Sequence, residues 1–351
     1  MTGQRPAWVE VAGSYPRGAF LFFQRDAMAT TFGVIVPTAE LELISCDERY
    51  VTQAAEEAFA ELERLEGELS RFRETSDVAQ LARLRPRQSL ILGFPAFDCL
   101  VLASRINDET RGAFDVALGR LTDSWQAGAR RGKEPTPDEL AWDKARSGQR
   151  LLLIVDEGHE VIVKKAGVVV DLGGIGKGYA LDRMAVLLRV WGIRDVLLHS
   201  GQSTVLAFGS PSPNAKSGEE RAGGWPVALR DPRLPRPGSR PRRAVGEVRL
   251  TCCAVSGSAQ SGRGPHIIDP RTGRPAANLA AWAMAPTAAE ADALSTAFMV
   301  MSAAQVRAFC RRRPEVSALV AMRGAGEAKN DVVSWETFRS QRSSCPSCSS
   351  W

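Results

Sequence analysis

The chain has 351 residues, of which 44% are hydrophobic and 24% are charged. These are ordinary values for a globular protein, and they exclude a disordered, collagen-like or coiled-coil chain. The net charge of +5 comes from 45 basic and 40 acidic residues, an excess too small for the concentrated basic face that nucleic acid requires. No apolar run approaches the roughly 18 residues that span a bilayer. The composition therefore predicts a folded protein of one large or two smaller domains, with no nucleic-acid partner and no membrane span.

The first part of the chain combines strand-like and helix-like segments. Apolar residues at 20–23 and 31–36 predict two short strands around a turn. Residues 51–72 place apolar side chains every three or four positions, which is typical of an amphipathic helix. Two more helices are predicted over 96–109 and 116–125, separated by a glycine turn.

The second part alternates short apolar segments with longer periodic ones. Strands are predicted around Leu250 and Ile267 and at five segments rich in Val, Leu and Ile, namely 151–155, 161–163, 168–171, 196–199 and 204–208. Helices are predicted at 179–191 and 286–301, and loops rich in Pro, Gly and Ser at 210–224 and 231–241. Because strands and helices do not alternate strictly, the pattern predicts an α+β fold rather than a doubly wound parallel sheet.

The N-terminus and the cysteines predict a cytoplasmic location. No charged segment followed by an apolar one opens the chain, so no secretory signal is predicted, although action outside the cytoplasm stays open. The seven cysteines include the adjacent pair Cys252 and Cys253. An odd number with such a pair favours free thiols in a reducing compartment over a disulfide framework.

A glycine cluster follows one predicted strand and precedes a predicted helix, in the sequence VVVDLGGIGKGYALD at 168–182. Such a junction presents free backbone N–H groups to an anion. The spacing fits neither a dinucleotide fingerprint, which would need glycine at Tyr179, nor a P-loop, which would need Ser or Thr at Gly178. A tight turn explains the glycines, but it does not explain Asp171 and Lys177 around them, which indicate an anion site.

A polar, glycine-rich segment at 255–275 contains one of only three histidines, His266. A single histidine is more often structural than catalytic. Asp269 lies three residues further on, and Arg271 and Thr272 follow it. Since a general base needs an orienting partner and a phosphate site needs cations, we weigh the functional and the structural interpretations equally.

The helix predicted at 286–301 carries Asp292 and Thr296, which are four residues apart and therefore share one face. Two hard oxygen ligands one turn apart suit Mg²⁺, which uses few protein ligands and completes its shell with phosphate and water. Alone, the pair is a weak signal, because a capping or solvated aspartate is the commoner explanation.

Together these segments resemble the ApbE-type flavin transferases, the FAD:protein FMN transferases, over roughly residues 27–320. The resemblance rests on six stretches in the same order: AMATTF at 27–32, LSRFRETSDVAQL at 69–81, GAFDVALG at 112–119, DLGGIGKGYALD at 171–182, HIIDPRTGRP at 266–275 and APTAAEADALSTA at 285–297. It implies mixed sheets with packed helices in a T-fold-like architecture. It also implies an ApbE-type region at 20–330 of two intertwined α/β subdomains, with an N-terminal extension at 1–19 and a tail at 331–351.

The resemblance also implies roles for individual residues. Positions that match the places where the family holds FAD are Met28, Phe72, Ala113, Phe114, Asp115, Asp171, Lys177 and Ile267. The Gly174 carbonyl and the side chains of Asp292 and Thr296 match the Mg²⁺ ligands, and His266 matches the histidine beside the scissile diphosphate, a candidate base. The catalytic residues implied are thus His266 and Asp292. Departures from the family pattern are Ala29 for Gly, Phe72 for Tyr, Val116-Ala117 for Pro-Thr, and the turn 199–202.

The activity that the resemblance implies is Mg²⁺-dependent transfer of FMN from FAD to a threonine hydroxyl of an acceptor protein, with release of AMP. Two alternatives stay open. In the first, water replaces threonine and the chain hydrolyses FAD to FMN and AMP. In the second, the chain binds FAD without turnover, as the departures at Ala29 and Phe72 would allow.

Overall fold

One eight-stranded antiparallel sheet organises the fold. The computed structural model describes residues 18–201, 203–211, 224–230, 244–260, 266–322 and 333–335. Within these ranges the sheet has the order β1-β2-β6-β7-β10-β11-β12-β13. Its strands are β1 (Phe20–Ala27), β2 (Thr30–Pro37), β6 (Val196–Ser200), β7 (Thr204–Phe208), β10 (Cys253–Ala259), β11 (Ala280–Ala285), β12 (Ser317–Ala321) and β13 (Val333–Trp335). Every described strand pair is antiparallel.

Two smaller sheets accompany the large one. One has the order β3-β5-β4 and consists of β3 (Ser89–Ile91), β4 (Leu152–Val155) and β5 (Glu160–Val163). The other is a two-stranded ribbon of β8 (Trp225–Arg230) and β9 (Ala244–Leu250).

Nine α-helices are described. They are α1 (Ala39–Leu43), α2 (Glu48–Leu69), α3 (Asp77–Leu81), α4 (Phe94–Glu109), α5 (Gly119–Arg131), α6 (Pro137–Lys144), α7 (Gly176–Val190), α8 (Ala288–Phe298) and α9 (Ala303–Arg312). Helix α2 forms where its apolar stripe predicts it, and its first turn is capped by Asp47, whose side chain accepts a hydrogen bond from the Tyr50 N–H.

The two faces of the large sheet are covered by different layers. Side chains on one face, such as Leu198 and Leu206, pack into the main core with the helices. Side chains on the other face, such as Leu197 and Val205, pack against Trp225 and other residues of the β8–β9 ribbon. With both faces buried, the strands of this sheet can be apolar throughout. The predicted α+β fold is confirmed.

Several predicted elements differ from the structure. Residues 168–171 are extended but form no strand, because the neighbouring chain segment is the loop before α5 rather than another strand. Helix α5 begins at Gly119 and not at 116, and the strand predicted around Ile267 is reduced to one bridge between Ile268 and Pro275. Strands β11 and β12 and helix α9 are not predicted from the sequence at all.

Some expectations concern residues outside the described ranges. Most of the extension at 1–19, most of the tail at 331–351, Gln202 of the turn 199–202, residues 212–223 of the first predicted loop and all of the second, 231–241, belong there. Residues 333–335 of the predicted tail form β13. The expectation of free thiols is wrong for Cys252, which is disulfide-bonded. Among the described residues, no helix combines the length and the apolar composition needed to cross a membrane.

Candidate active site

The glycine cluster brings two helices into backbone contact. A Cβ atom on Gly178 of α7 would lie 2.1 Å from the carbonyl oxygen of Ala288, the first residue of α8. Only glycine allows so close an approach. The contact is reinforced by Asp182, whose side chain accepts hydrogen bonds from the N–H groups of Ala288 (2.8 Å) and Ala289 (2.9 Å). Burial raises the pKa of Asp182 to about 7, although these two N–H groups oppose the shift.

This crossing places Lys177 beside Asp292. The Lys177 ammonium lies 3.2 Å from Asp292 Oδ2 and donates to the Gly173 carbonyl at 2.6 Å. The same carboxylate accepts from the Gly178 N–H at 3.3 Å and from the Ser256 hydroxyl at 3.4 Å. The Asp292 side chain is only 4% exposed, so the charge depends on these partners, since an unpaired buried charge is costly. The structure thus brings together two residues that are 115 positions apart.

Two of the predicted metal ligands, Asp292 and Thr296, lie one turn apart on α8, and Thr296 lies beside the glycine bend that contains Gly174. The Thr296 hydroxyl donates to the Asp292 carbonyl one turn earlier, at 3.1 Å. A Cβ atom on Gly174 would lie 3.2 Å from Thr296 Oγ1, so the glycine bend and the hydroxyl are in contact. The donor set of one carboxylate, one hydroxyl and one carbonyl fits Mg²⁺, which keeps part of its shell for phosphate and water. Among the described residues, no group of three His, Cys, Asp or Glu side chains could hold a metal ion.

A chain of hydroxyl groups supports this cluster from the sheet. We define the hydroxyl chain as Thr204, Ser256, Ser258, Ser295 and Thr296. Its contacts are Thr204 to Ser256 (2.9 Å), Ser256 to Ser295 (3.4 Å), Ser258 to Ser295 (2.8 Å) and Ser258 to Thr296 (3.4 Å). It runs between β7, β10 and α8, so polar groups line the buried side of Asp292 and Thr296.

The loop that carries Ala113, Phe114 and Asp115 runs beside residues 168–171. The Asp171 N–H donates to the Val116 carbonyl at 2.7 Å. Ala113 and Phe114 are buried, and Phe114 Cε2 lies 3.4 Å from the position of a Cβ atom on Gly174. The loop therefore lies against the glycine bend.

Asp115 is held by backbone groups. Its side chain accepts from the N–H of Ala117 at 2.8 Å and from the N–H of Gln149 at 2.9 and 3.0 Å. Burial raises its pKa above the usual value, against the effect of these hydrogen bonds. A cavity of about 240 Å³ opens beside it and is also lined by Lys144, Arg150 and Arg271. Three cations around a cavity favour an anionic or strongly polar ligand.

Met28 lies in the two-residue turn between β1 and β2. Met28 and Ala29 both have positive φ, 48° and 58°, as in the type I′ turns that favour Asn-Gly. The Met28 N–H donates to Glu66 Oε1 of α2 at 2.9 Å, and Glu66 Oε2 pairs with Arg73 at 3.0 Å. The Glu66 carboxylate thus ties the turn to the start of the segment that contains Phe72.

Phe72 and Asp171 meet at one arginine. The Phe72 side chain is 81% exposed, and the Arg71 guanidinium lies 4.5 Å from the centroid of its ring. Arg71 Nε is 3.1 Å from Asp171 Oδ2. The second Asp171 oxygen accepts from the Gly173 N–H at 2.9 Å.

His266 and Ile267 are the first two residues of the described range 266–322. Ile267 is buried in the main core and His266 is half-buried. The turn that follows is anchored on the helices: Gly273 accepts from the Trp125 indole at 2.8 Å, and Arg271 accepts through its carbonyl from Lys144 at 2.7 Å. The placement of His266 next to the Asp292 cluster stays a prediction.

Four residues of the site are missed by sequence reasoning: Glu66, Arg71, Asp182 and Ser256. Each acts through a partner that is remote in the sequence, so no local spacing reveals it. Arg71 and Asp182 do lie inside stretches that carry the family resemblance, and that position is the one signal that could have indicated them.

The comparisons with known proteins identify the family and the fold. The family model described as "ApbE family" matches residues 28–320. The FAD:protein FMN transferase of Treponema pallidum is 30% identical over 282 residues, which cover 77% of each chain, and that of Salmonella typhimurium is 30% identical over 241 residues, which cover 65% of each chain. In fold, the chain resembles the flavin transferase ApbE from Vibrio cholerae, with a TM-score of 0.73, 23% identity, and coverage of 90% of this chain and 97% of that chain. The ApbE protein from Thermotoga maritima gives a TM-score of 0.71 at 24% identity, with the same coverage. Because the family model matches most of the chain and the T. pallidum relative is 30% identical over 77% of it, this chain belongs to the ApbE family.

Proposed function

We propose that this protein transfers FMN from FAD to a threonine hydroxyl of an acceptor protein. The hydroxyl oxygen forms a bond to the phosphorus of the FMN half of FAD. The bond between that phosphorus and the bridging oxygen breaks, and AMP leaves with the bridging oxygen. The hydroxyl proton passes to a base, so the products are a phosphoester-linked FMN and AMP.

The family supports the activity, because the curated relatives are named FAD:protein FMN transferases. The observation that carries the proposal for this chain is the convergence of Lys177, Asp292 and Thr296 at the glycine bend. A cation attracts a diphosphate directly, and a carboxylate with a hydroxyl one turn away can hold the divalent ion that a diphosphate binds. A separate cavity beside Asp115 is lined by Lys144, Arg150 and Arg271.

Each residue has a defined task in this proposal. Lys177 offsets phosphate charge. Asp292, Thr296 and the Gly174 carbonyl would hold Mg²⁺, which, when bound, supplies charge neutralisation at the phosphate oxygens. His266 accepts the threonine proton, an effect typically worth about 10² to 10⁴ in rate. Met28, Phe72, Asp171 and Ile267 would hold the rings and sugars of FAD.

The location of the reaction is a separate question. The cytoplasmic location predicted from the sequence stays a prediction.

The test uses protein extract from source cells that lack this chain, supplied with FAD, Mg²⁺ and the purified protein. We expect AMP release and an equal amount of FMN bound to threonine of an acceptor, as measured by chromatography and peptide mass spectrometry. Asp292→Ala should abolish both products, whereas Asp156→Ala, which removes an exposed carboxylate in a turn, should not change them.

Two results would overturn the proposal in different ways. Equal amounts of AMP and free FMN, with no protein-bound FMN, would identify a hydrolase. Tight binding of FAD without AMP release at saturating Mg²⁺ would identify a binding protein.

A further inference from the structure

Arg71 is almost completely buried although it lies next to the most exposed aromatic side chain of the site. The Arg71 side chain is 8% exposed, whereas Phe72 is 81% exposed. Burial of a guanidinium needs partners on its donors. Arg71 finds them in Asp123, to which it donates two hydrogen bonds of 2.7 and 3.0 Å, whereas its Nε lies 3.1 Å from Asp171 Oδ2 as an ion pair without a hydrogen bond.

The two hydrogen bonds to Asp123 form the fork geometry that fixes the plane of a guanidinium. The guanidinium carbon, Arg71 Cζ, lies 4.5 Å from the centroid of the Phe72 ring. This is within the distance at which a cation attracts an aromatic face. The guanidinium contacts the ring, and the high exposure of Phe72 leaves the ring open to solvent. An exposed phenylalanine that is held in this way is a ready platform for a planar ligand ring.

We infer that Arg71 is a positioning residue, which holds the Phe72 ring in the orientation that stacks on a ring of FAD. The inference rests on the proposed function insofar as FAD is the substrate. Without Arg71, the ring would be free to change rotamer, and binding would have to immobilise it. Immobilising one such side chain weakens affinity by about 2- to 10-fold.

A merely structural role for Arg71 predicts something different. If Arg71 only ties the segment after α2 to Asp123 and Asp171, its replacement would lower stability and affect FAD binding independently of Phe72. The two roles are separated by a double-mutant cycle, because a residue that acts through Phe72 has no effect once the ring is gone.

The cycle uses Arg71→Lys, Phe72→Ala and the double variant. Lysine keeps the positive charge near Asp171 but loses the planar fork, so this exchange is not conservative at a stacked site. The dissociation constant of FAD is measured by quenching of flavin fluorescence. We expect Arg71→Lys to raise it by about 2- to 10-fold and to leave it unchanged when Phe72 is already alanine. For the transfer reaction, KM should rise while kcat stays constant, since the stack forms in the ground state as well.

The control is Arg25→Lys. Arg25 also lies over a phenylalanine ring, that of Phe59 at 5.3 Å, and also pairs with two carboxylates, Glu56 and Glu63. The Phe59 ring is only 1% exposed and cannot stack on a ligand, so this variant should bind FAD like the wild type.

Equal affinity of Arg71→Lys and wild type, or additive effects of the two substitutions, would overturn the inference. Arg71→Met, which removes the cation as well, provides a second variant and should weaken binding at least as much. The double-mutant cycle measures the dissociation constant of FAD and does not depend on FMN transfer. If the wild type transferred no FMN, the proposed function would be overturned, but the dissociation constants would still decide the role of Arg71.

Discussion

Replacement of Gly178 by alanine tests whether the crossing of α7 and α8 builds the site. The added Cβ atom would lie 2.1 Å from the Ala288 carbonyl oxygen and 2.7 Å from the Ala289 nitrogen. Both are backbone atoms, so no side-chain rotation can relieve the clash. Helix α8 would have to move until the first distance reaches the 3.4 Å at which ordinary contact begins.

The expected loss of stability follows from this displacement. Overpacking a close-packed region costs about 1–3 kcal/mol, and alanine regains up to about 1 kcal/mol of helix propensity relative to glycine. The net loss is therefore about 0–3 kcal/mol, which lowers the melting temperature of a protein of this size by up to a few degrees. Activity should fall further than stability. The displacement would break the 3.3 Å contact between the Gly178 N–H and Asp292 and would shift Asp292 relative to Lys177.

The matched control is Gly176→Ala, two residues earlier in the same helix. A Cβ atom there would lie 3.6 Å from the nearest atom, in Leu172, so this variant should be as stable as the wild type. Both variants are compared by thermal unfolding and by release of AMP from FAD at saturating Mg²⁺. Equal melting temperatures and equal rates for the two variants would refute the reasoning, because the crossing would then tolerate a side chain.

Three further predictions concern other parts of the site. Ala29→Gly should raise the free energy of unfolding by about 0.5–1 kcal/mol in urea titrations, since φ of +58° at this position strains alanine but not glycine. An unchanged midpoint of urea denaturation would contradict this strain. The pKa of Asp182, about 7, lies above its unfolded value of about 3.9, so the stability that this group contributes is full below about pH 4 and is lost as pH rises through 7. The melting temperature of the wild type should therefore fall relative to that of Asp182→Asn between pH 5 and 8, and parallel curves would exclude the shift. Ser256→Ala should weaken the binding of Mn²⁺, measured by titration calorimetry, by about tenfold, because it removes a hydroxyl that contacts the Asp292 carboxylate. The control is Ser317→Ala, which removes another buried hydroxyl. Equal Mn²⁺ affinities of the two variants would contradict a supporting role for Ser256.

The sequence predicts those elements of the fold that carry apolar residues on one face and polar residues on the other. Helix α2 buries one face and exposes the other, so its apolar spacing predicts it to within three residues. Strands β11 (AAWAMA) and β12 (SALVA) are buried on both faces. They carry no alternation, and their alanines do not favour strands. Residues 168–171 show the reverse error, because Val-rich composition predicts a strand where the partner is only a loop.

For the candidate site, the sequence predicts the separate segments but not their contacts. The proximity of Asp292 and Thr296 follows from helical spacing alone. The contact between Lys177 and Asp292 depends on Gly178, whose role is visible only once α7 and α8 are seen to cross. Arg71 has no pattern of its own, since its burial results from Asp123 and Asp171, which are 52 and 100 positions away.

Helix α8 explains why a site of such small residues can hold a charged ligand. All of its residues except Thr296 are buried, between α7 on one side and β10 and β11 on the other. A helix buried all round is normally apolar, so its polar members need partners. The hydroxyl chain and Lys177 supply them for Asp292 and Ser295, and Arg105 and Arg313 supply them for Glu290. Its many alanines let the neighbouring backbones approach closely enough for these short side chains to meet. Thr296 is then the one position at which α8 opens toward the exterior. Thr296 and the glycine bend beside it therefore lie where the predicted metal and diphosphate would approach the buried Asp292 carboxylate.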